Sequence, residues 1–309
     1  MSGDVKLAGT LMIPAAPGPY PAVVLFHGSG YAERNLWMAR WFAEQGVAAL
    51  AYDKRGAGES SGDFNAVPFM KLADDGLAAV DFLRARTDID RHRIGVWGLS
   101  QGGWLGPLAA SRSANVMFVI SVSGPGVSPG EQMIFYYAND LRSRGLVEND
   151  VREASTLRRE VWDSLHTGKA LEQAQADLDR SRKAAWFNDL KSQQDGLFDR
   201  LKTPADWEKA RSSIWFREEI DYDPIPTLGK LTVPALFIFG ADDSLVPVPE
   251  SVSAIRAVSN AGKKDFALFV VAGADHTLRI NAADGGRMLS PEYLQHIQEW
   301  LAHNVLDAK

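Results

Sequence analysis

The feature that most constrains this chain is a set of apolar runs too short for helices and too continuous for half-exposed strands. AVVLFHG (22–28), VAALAYD (47–53), RIGVWGL (93–99) and VMFVISVSG (116–124) come early, and PALFIFG (234–240) and FALFVVAG (266–273) follow after a long gap. A strand with one solvated face alternates apolar and polar residues, so runs of this kind belong to strands covered on both faces. Amphipathic stretches separate the early runs. NLWMARWFAEQ (35–45) places Leu36, Trp37, Arg40 and Trp41 at helical spacing, with Gly46 as its C-cap, and a second helix is expected over about 68–86. GTLMIP (9–14) reads as a further strand and AAPGPYP (15–21) as a turn-rich connector. Strand–helix alternation of this sort predicts a mostly parallel sheet flanked by helices.

From Ser128 to Ile225 the rhythm changes. No buried strand is legible there, and NDVREASTLRREVWDSL (149–165) and KALEQAQADLDRSRKAAWF (169–187) are charged and helical. The expected organisation is an α/β core over residues 1–127 and 226–309, interrupted by a helical insert over 128–225. The insert carries Trp162, Trp186, Trp207 and Trp215. Filling its small core is their first reading, and facing a pocket beneath the insert is the alternative for one or two of them.

Several function classes drop out. With a net charge of −6 over 309 residues and no lysine–arginine run, the chain lacks the basic surface that nucleic acid requires. No apolar segment approaches the length of a membrane span. There is no cysteine, which excludes disulfides and thiol chemistry. MSGDVKLAGT lacks a basic region followed by an apolar one, so the expected location is the cytoplasm, a trimmed leader aside. RGAGESSGD (55–63) lacks the lysine and spacing of a phosphate loop, and Asp74–Asp75 reads as surface charge or a helix cap. No histidine–carboxylate cluster has metal-ligand spacing, so neither metal nor cofactor is expected. The oligomeric state is left open, a homodimer included.

The chemistry concentrates around WGLSQGGW (97–104). Alone, G-x-S-x-G is weak. Here Ser100 sits where a buried strand ends and a helix begins, the context in which such a turn lifts a hydroxyl above a sheet. The Gln101 amide, at the helix start, is aimed toward a developing oxyanion. A serine nucleophile needs a base. His92, His166, His296 and His303 lie in the wrong places, and His27 reads as a brace within HGSG (27–30), which leaves His276 in AGADHT. The histidine needs a carboxylate, and FGADDSLVP (239–247) offers Asp242 or Asp243 after the penultimate apolar run. HGSG supplies the second oxyanion donor, from the Ser29 or Gly30 amide. His27, Gly28, Gly30 and Trp104 are candidates to line a substrate site, although Trp104, one turn into the helix, reads more readily as packing.

LAGTLMIP, VVLFHGSG, AYDKRGAGESSGD, IGVWGLSQGG, FGADDSLVP and GADHT together resemble the serine α/β-hydrolases, in particular bacterial esterases and acyl hydrolases related to the prolyl-oligopeptidase-like and S33 peptidase groups. The resemblance implies the α/β-hydrolase fold, with residues 128–225 in the position of a cap. It implies that Asp243, the aspartate of G-x-x-D-x-x-V-P, is the acid, and that Asp53 to Gly58 form a structural loop near the site. The expected activity is ester hydrolysis of a small molecule with short to medium acyl chains, by Ser100, Asp243 and His276 with the Gln101 and Ser29 amides. A thioesterase, an acyltransferase or a small-peptide hydrolase would use the same groups. A ligand-binding protein that kept the fold without catalysis is the rival from another class.

Overall fold

A computed structural model describes residues 1–307, in which the chain forms two compact units. One comprises Met1–Val127, Asp223–Asp243 and the chain from Val248 onward; the other comprises Ser128–Tyr222 and Ser244–Pro247.

The first unit is built on strands β1 (Gly9–Met12), β2 (Tyr20–Phe26), β3 (Ala48–Tyr52), β4 (Ile89–Leu99), β5 (Val119–Val122), β6 (Ala235–Gly240) and β7 (Phe266–Val271). Their order is β1-β3-β2-β4-β5-β6-β7. All pairs are parallel except β1, which runs antiparallel on β3 at the edge. Parallel neighbours need long crossovers. The early ones are helices α1 (Leu36–Glu44), α2 (Phe69–Arg84) and α3 (Gln101–Arg112), and helices Val248–Gly262 and Pro291–Leu301 complete the layers. Sequence dictates the limits of α1: the Asn35 side chain accepts from the Met38 amide at one end, and Gly46 takes φ 86° just past the other. On one face of the sheet Leu25, Trp97, Ile120 and Leu236 pack with Tyr293, Ile297 and Leu301 of the last helix. A short hairpin, Arg279–Asn281 with Arg287–Leu289, follows β7, and its Ile280 and Leu289 pack against the core. Nothing in its composition announces a strand.

α3 contains Pro107, whose missing N–H would strand the carbonyl one turn earlier, that of Gly103. The Ser121 hydroxyl of β5 donates to that carbonyl at 3.2 Å. A buried polar group is thereby satisfied across the helix–sheet interface.

The second unit is helical, with α4 (Pro129–Ser143), α5 (Glu148–Thr167) and α6 (Leu171–Ser181) followed by shorter helices such as Pro204–Arg211. The expected helical stretch 169–187 ends at Ser181, and Trp186 and Phe187 turn inward beyond it. Trp162, Trp186 and Trp207 are buried in this unit's core and Trp215 packs against it. Trp186 also donates to Glu153 at 3.1 Å. At the centre lies Arg158, 1% exposed, with its guanidinium 3.8 Å from the Tyr137 ring centre. It donates to Asp195 at 2.5 Å and to Gln193 at 2.7 Å. A buried cation needs such partners, because desolvation otherwise costs several kcal/mol, on the order of the largest single-residue effects.

Candidate active site

The carboxyl ends of β4, β6 and β7 lie at one edge of the sheet because these strands are parallel, with β5 between the first two. Ser100 follows β4, Asp243 follows β6 and His276 follows β7.

Ser100 occupies φ 57°, ψ −117°, a region that costs a residue with a side chain about 1–3 kcal/mol. Its surroundings impose the turn. The Ser100 amide donates to the Val122 carbonyl at 2.9 Å, and the Gly103 amide donates to the Ser100 carbonyl at 2.7 Å. A Cβ on Gly98 would overlap the Gly102 carbonyl, and one on Gly102 would come within 2.9 Å of the Phe26 and His27 carbonyls. The spacing G-x-S-x-G therefore records where backbone passes backbone. The Ser100 side chain does not cap α3, although it stands at the N-cap position. Gln101 is the first residue of α3, so its amide has no carbonyl partner within the helix.

Asp243 and His276 are joined by a 2.8 Å hydrogen bond from Nδ1 to Oδ2, with the carboxylate side chain fully buried. Asp242 is exposed. Of the two adjacent aspartates, Asp243 is the one bonded to His276. With Nδ1 donating, Nε2 carries the lone pair of the neutral ring. The turn that presents His276 is held by Asp275, a residue whose role sequence patterns did not disclose. Its Oδ1 accepts from the Thr277 amide, the Thr277 hydroxyl and the Arg279 amide, each at 2.9 Å. Partial burial pushes the Asp275 carboxyl up, but these bonds and Arg287 together hold it below the usual carboxylate range. Gly240 is required because a Cβ there would run into the Ala274 and Asp275 carbonyls.

HGSG follows β2. A Cβ on Gly28 would lie 3.7 Å from the Ser100 Cβ, so this loop borders the serine, and Gly30 takes φ 76°. His27 does not present its ring to a ligand: Nε2 donates to the Tyr52 carbonyl, and the ring meets Tyr52 edge-on at 4.6 Å. Burial holds its pKa down to about 4, against the pull of the Tyr52 carbonyl, so the ring is neutral. Trp104 is likewise committed to structure. It stacks on Phe69 and donates Nε1 to the Pro125 carbonyl at 2.7 Å.

The loop after β3 is closely tied. Asp53 accepts from the Arg34 amide and Nε at 2.9 Å, from Arg34 Nη2 at 2.5 Å and from the Glu59 amide at 2.9 Å. Arg34 holds the Asp53 carboxyl down to about 2. Arg55 and Asp75 form a buried bidentate pair at 2.7 and 2.6 Å. This corrects the expectation for Asp75, which is interior, whereas Asp74 pairs with Arg112 in a partly exposed site. Lys54, between Asp53 and Arg55, is 3% exposed; its Nζ donates to the Gly28 carbonyl at 3.0 Å and to Gln101 Oε1 at 2.7 Å. No pattern in the sequence marked it. A lysine in a glycine-rich loop ordinarily reads as solvated.

Among the described residues, no group of three or more histidines and carboxylates is placed to hold a metal ion. Nor is any helix among them long and apolar enough to cross a membrane.

The family model of the X-Pro dipeptidyl-peptidases (S15 family) matches residues 2–277. The chain belongs to the S15 family. It is a serine hydrolase of the α/β-hydrolase fold, as its motifs imply. This S15 protein is 25% identical over 302 residues to Esterase EstD of Thermotoga maritima, a match that covers 94% of this chain and 61% of that esterase. It is 36% identical over 121 residues to Thiohydrolase aneE of Aspergillus aculeatus, covering 38% of this chain and 37% of the relative. Among solved structures, the α/β-hydrolase GrgF from Penicillium sp. sh18 superposes with a TM-score of 0.61 at 18% identity, covering 98% of this chain and 95% of that one.

Proposed function

We propose that this S15 protein hydrolyses carboxylic esters with short to medium acyl chains through an acyl-enzyme on Ser100. The observation that carries the reading is the buried 2.8 Å Asp243–His276 pair, at the sheet edge where Ser100 stands in a strained, glycine-enclosed turn. In the proposed reaction Ser100 Oγ bonds to the ester carbonyl carbon while its proton passes to His276 Nε2. Asp243 holds the tautomer and offsets the charge of the imidazolium. The Gln101 and Ser29 amides receive the oxyanion. Collapse expels the alkoxide, which takes the proton from His276. A water then repeats the sequence on the acyl-enzyme, giving its proton to the same nitrogen and releasing the acid and free Ser100.

The likeness to Esterase EstD supports esters as the substrate class. Ser100→Ala should lower turnover of p-nitrophenyl acetate and butyrate by about 10³-fold or more while circular dichroism stays native. Wild-type rates in that variant would refute the reading. A second reading, thioester hydrolysis at the same serine, is favoured by the 36% identity to Thiohydrolase aneE. Matched esters and thioesters, with X-Pro anilides as a third arm, separate it from ester and peptide hydrolysis by their kcat/KM ratios.

A further inference from the structure

Both proposed oxyanion donors are tied to the same side chain, and that side chain is Lys54. Its ammonium donates to the Gly28 carbonyl at 3.0 Å and to the Gln101 side-chain oxygen at 2.7 Å. The lysine is itself fixed. Its amide donates to the Ala32 carbonyl at 3.0 Å, its carbonyl accepts from the Ala57 amide at 2.8 Å, and the ammonium lies 5.0 Å from the Phe64 ring centre. The neighbouring charges are engaged in their own pairs, Asp53 with Arg34 and Asp75 with Arg55.

Two consequences follow from peptide chemistry. A trans peptide points its C=O and its N–H in opposite directions. The Gly28 carbonyl and the Ser29 N–H belong to one peptide, so drawing the carbonyl onto Lys54 turns the Ser29 N–H to the opposite face and fixes it there. A cation on the carbonyl also polarises the peptide, which strengthens its N–H as a donor. On the other side, the tether to Gln101 Oε1 anchors the first residue of α3, whose own amide is free of helical bonding. Oxyanion stabilisation depends on donors fixed before charge develops, because reorientation during the reaction would cost energy.

We infer that Lys54 is a positioning residue: one buried ammonium sets the loop donor and the helix donor of the oxyanion hole together, without touching substrate. The inference rests on the reading of Ser100 as the nucleophile. It also gives the Gln101 side chain a task separate from that of its amide.

The test compares Lys54→Met, which keeps length and removes the charge, with Gln101→Met, which keeps the backbone donor and removes the tether. Each is assayed on p-nitrophenyl butyrate and against a trifluoromethyl ketone, whose serine adduct carries an oxyanion. Losing a direct oxyanion donor costs about 10²–10³ in kcat, so losing its positioner should cost about ten- to a hundredfold in Lys54→Met. KM should stay within about twofold, and the ketone should weaken by the same factor as kcat/KM. Gln101→Met should lose about three- to tenfold in kcat, and the double variant should be no slower than Lys54→Met, because one ammonium serves both contacts. Folded Lys54→Met with wild-type kcat and ketone affinity overturns the inference. So does a loss of kcat that leaves ketone affinity unchanged. If Lys54→Met does not fold, Gln101→Met decides, and wild-type kcat in that variant overturns it. Ser100→Ala runs alongside: turnover retained there defeats the nucleophile reading itself, whereas an inactive Ser100→Ala beside a normal Lys54→Met defeats only the role of Lys54.

Discussion

At the end of β4 the chain turns through residues chosen for what they lack, whereas the middle of α5 is organised around a residue chosen for what it brings. Gly98 and Gly102 leave no room for a Cβ against neighbouring backbone. Arg158, by contrast, fills the interior of the helical unit with a guanidinium that meets Tyr137, Trp162 and Phe198 and two polar partners. The first region should fail by collision and the second by vacancy. Backbone collisions have no soft solution, because the Gly102 carbonyl belongs to the first turn of α3 and the Phe26 carbonyl to the end of β2, and neither can move without disturbing its element. A vacated side-chain site can partly close.

Gly98→Ala sharpens this contrast with the largest expected effect. The added Cβ overlaps the Gly102 carbonyl, so the turn cannot form as it stands. A loss of more than about 4 kcal/mol, or failure to accumulate folded protein, is expected by denaturant unfolding. A folded, active Gly98→Ala would break the comparison at its root.

The two buried arginines carry the contrast further. Arg55 and Asp75 are both interior, whereas Asp195, the partner of Arg158, is partly exposed. Asp75→Asn leaves an interior cation without its anion and should cost about 3–5 kcal/mol. Arg158→Met removes the cation and replaces much of its volume, so a smaller loss of about 1–3 kcal/mol is expected. Urea midpoints for the two variants give the order directly, and the reverse order would contradict the role given to burial of both partners.

The last effect is conditional on pH, negligible above about pH 7 and growing only on acidification. The folded pKa of His27 lies near 4, below the ordinary value of 6.5. Between those values the unfolded chain binds a proton that the folded chain refuses, so stability falls as pH drops from about 6.5 to about 4. The loss from this group is at most about 3 kcal/mol. His27→Gln should flatten that limb of the stability–pH curve and leave the slope above pH 7 unchanged. An unaltered acid limb would show that the ring is not held neutral.

Legibility in the sequence follows the same division. Requirements written as absence or as fixed spacing are readable: five of the six apolar runs are buried strands, whereas the last, β7 at the sheet edge, is mostly half-buried, and G-x-S-x-G and the glycine of G-x-x-D mark places where backbone must approach closely. Gly30 of HGSG is instead required by its φ of 76°. Requirements met by long polar side chains are not readable. Asp75 reads as surface charge on an amphipathic helix, and only the fold shows Arg55 beneath it. Lys54 sits in a loop whose composition suggests solvent, and its two acceptors lie 26 and 47 residues away in sequence. Asp275 organises its turn through contacts with residues just two to four positions on, yet nothing in GADHT distinguishes it from a capping residue. The hairpin after β7 is not legible because its strands are only three residues each and mix charged with apolar positions.

The central claim is that Ser100 is the residue that becomes acylated. Treating the protein with a fluorophosphonate and mapping the adduct by peptide mass spectrometry tests it most directly. The account predicts a single adduct on the peptide containing Ser100, absent in Ser100→Ala and suppressed when Ser100 has first been acylated by a slowly hydrolysed ester. An adduct on any other serine, or full ester turnover with Ser100 unlabelled, would contradict it.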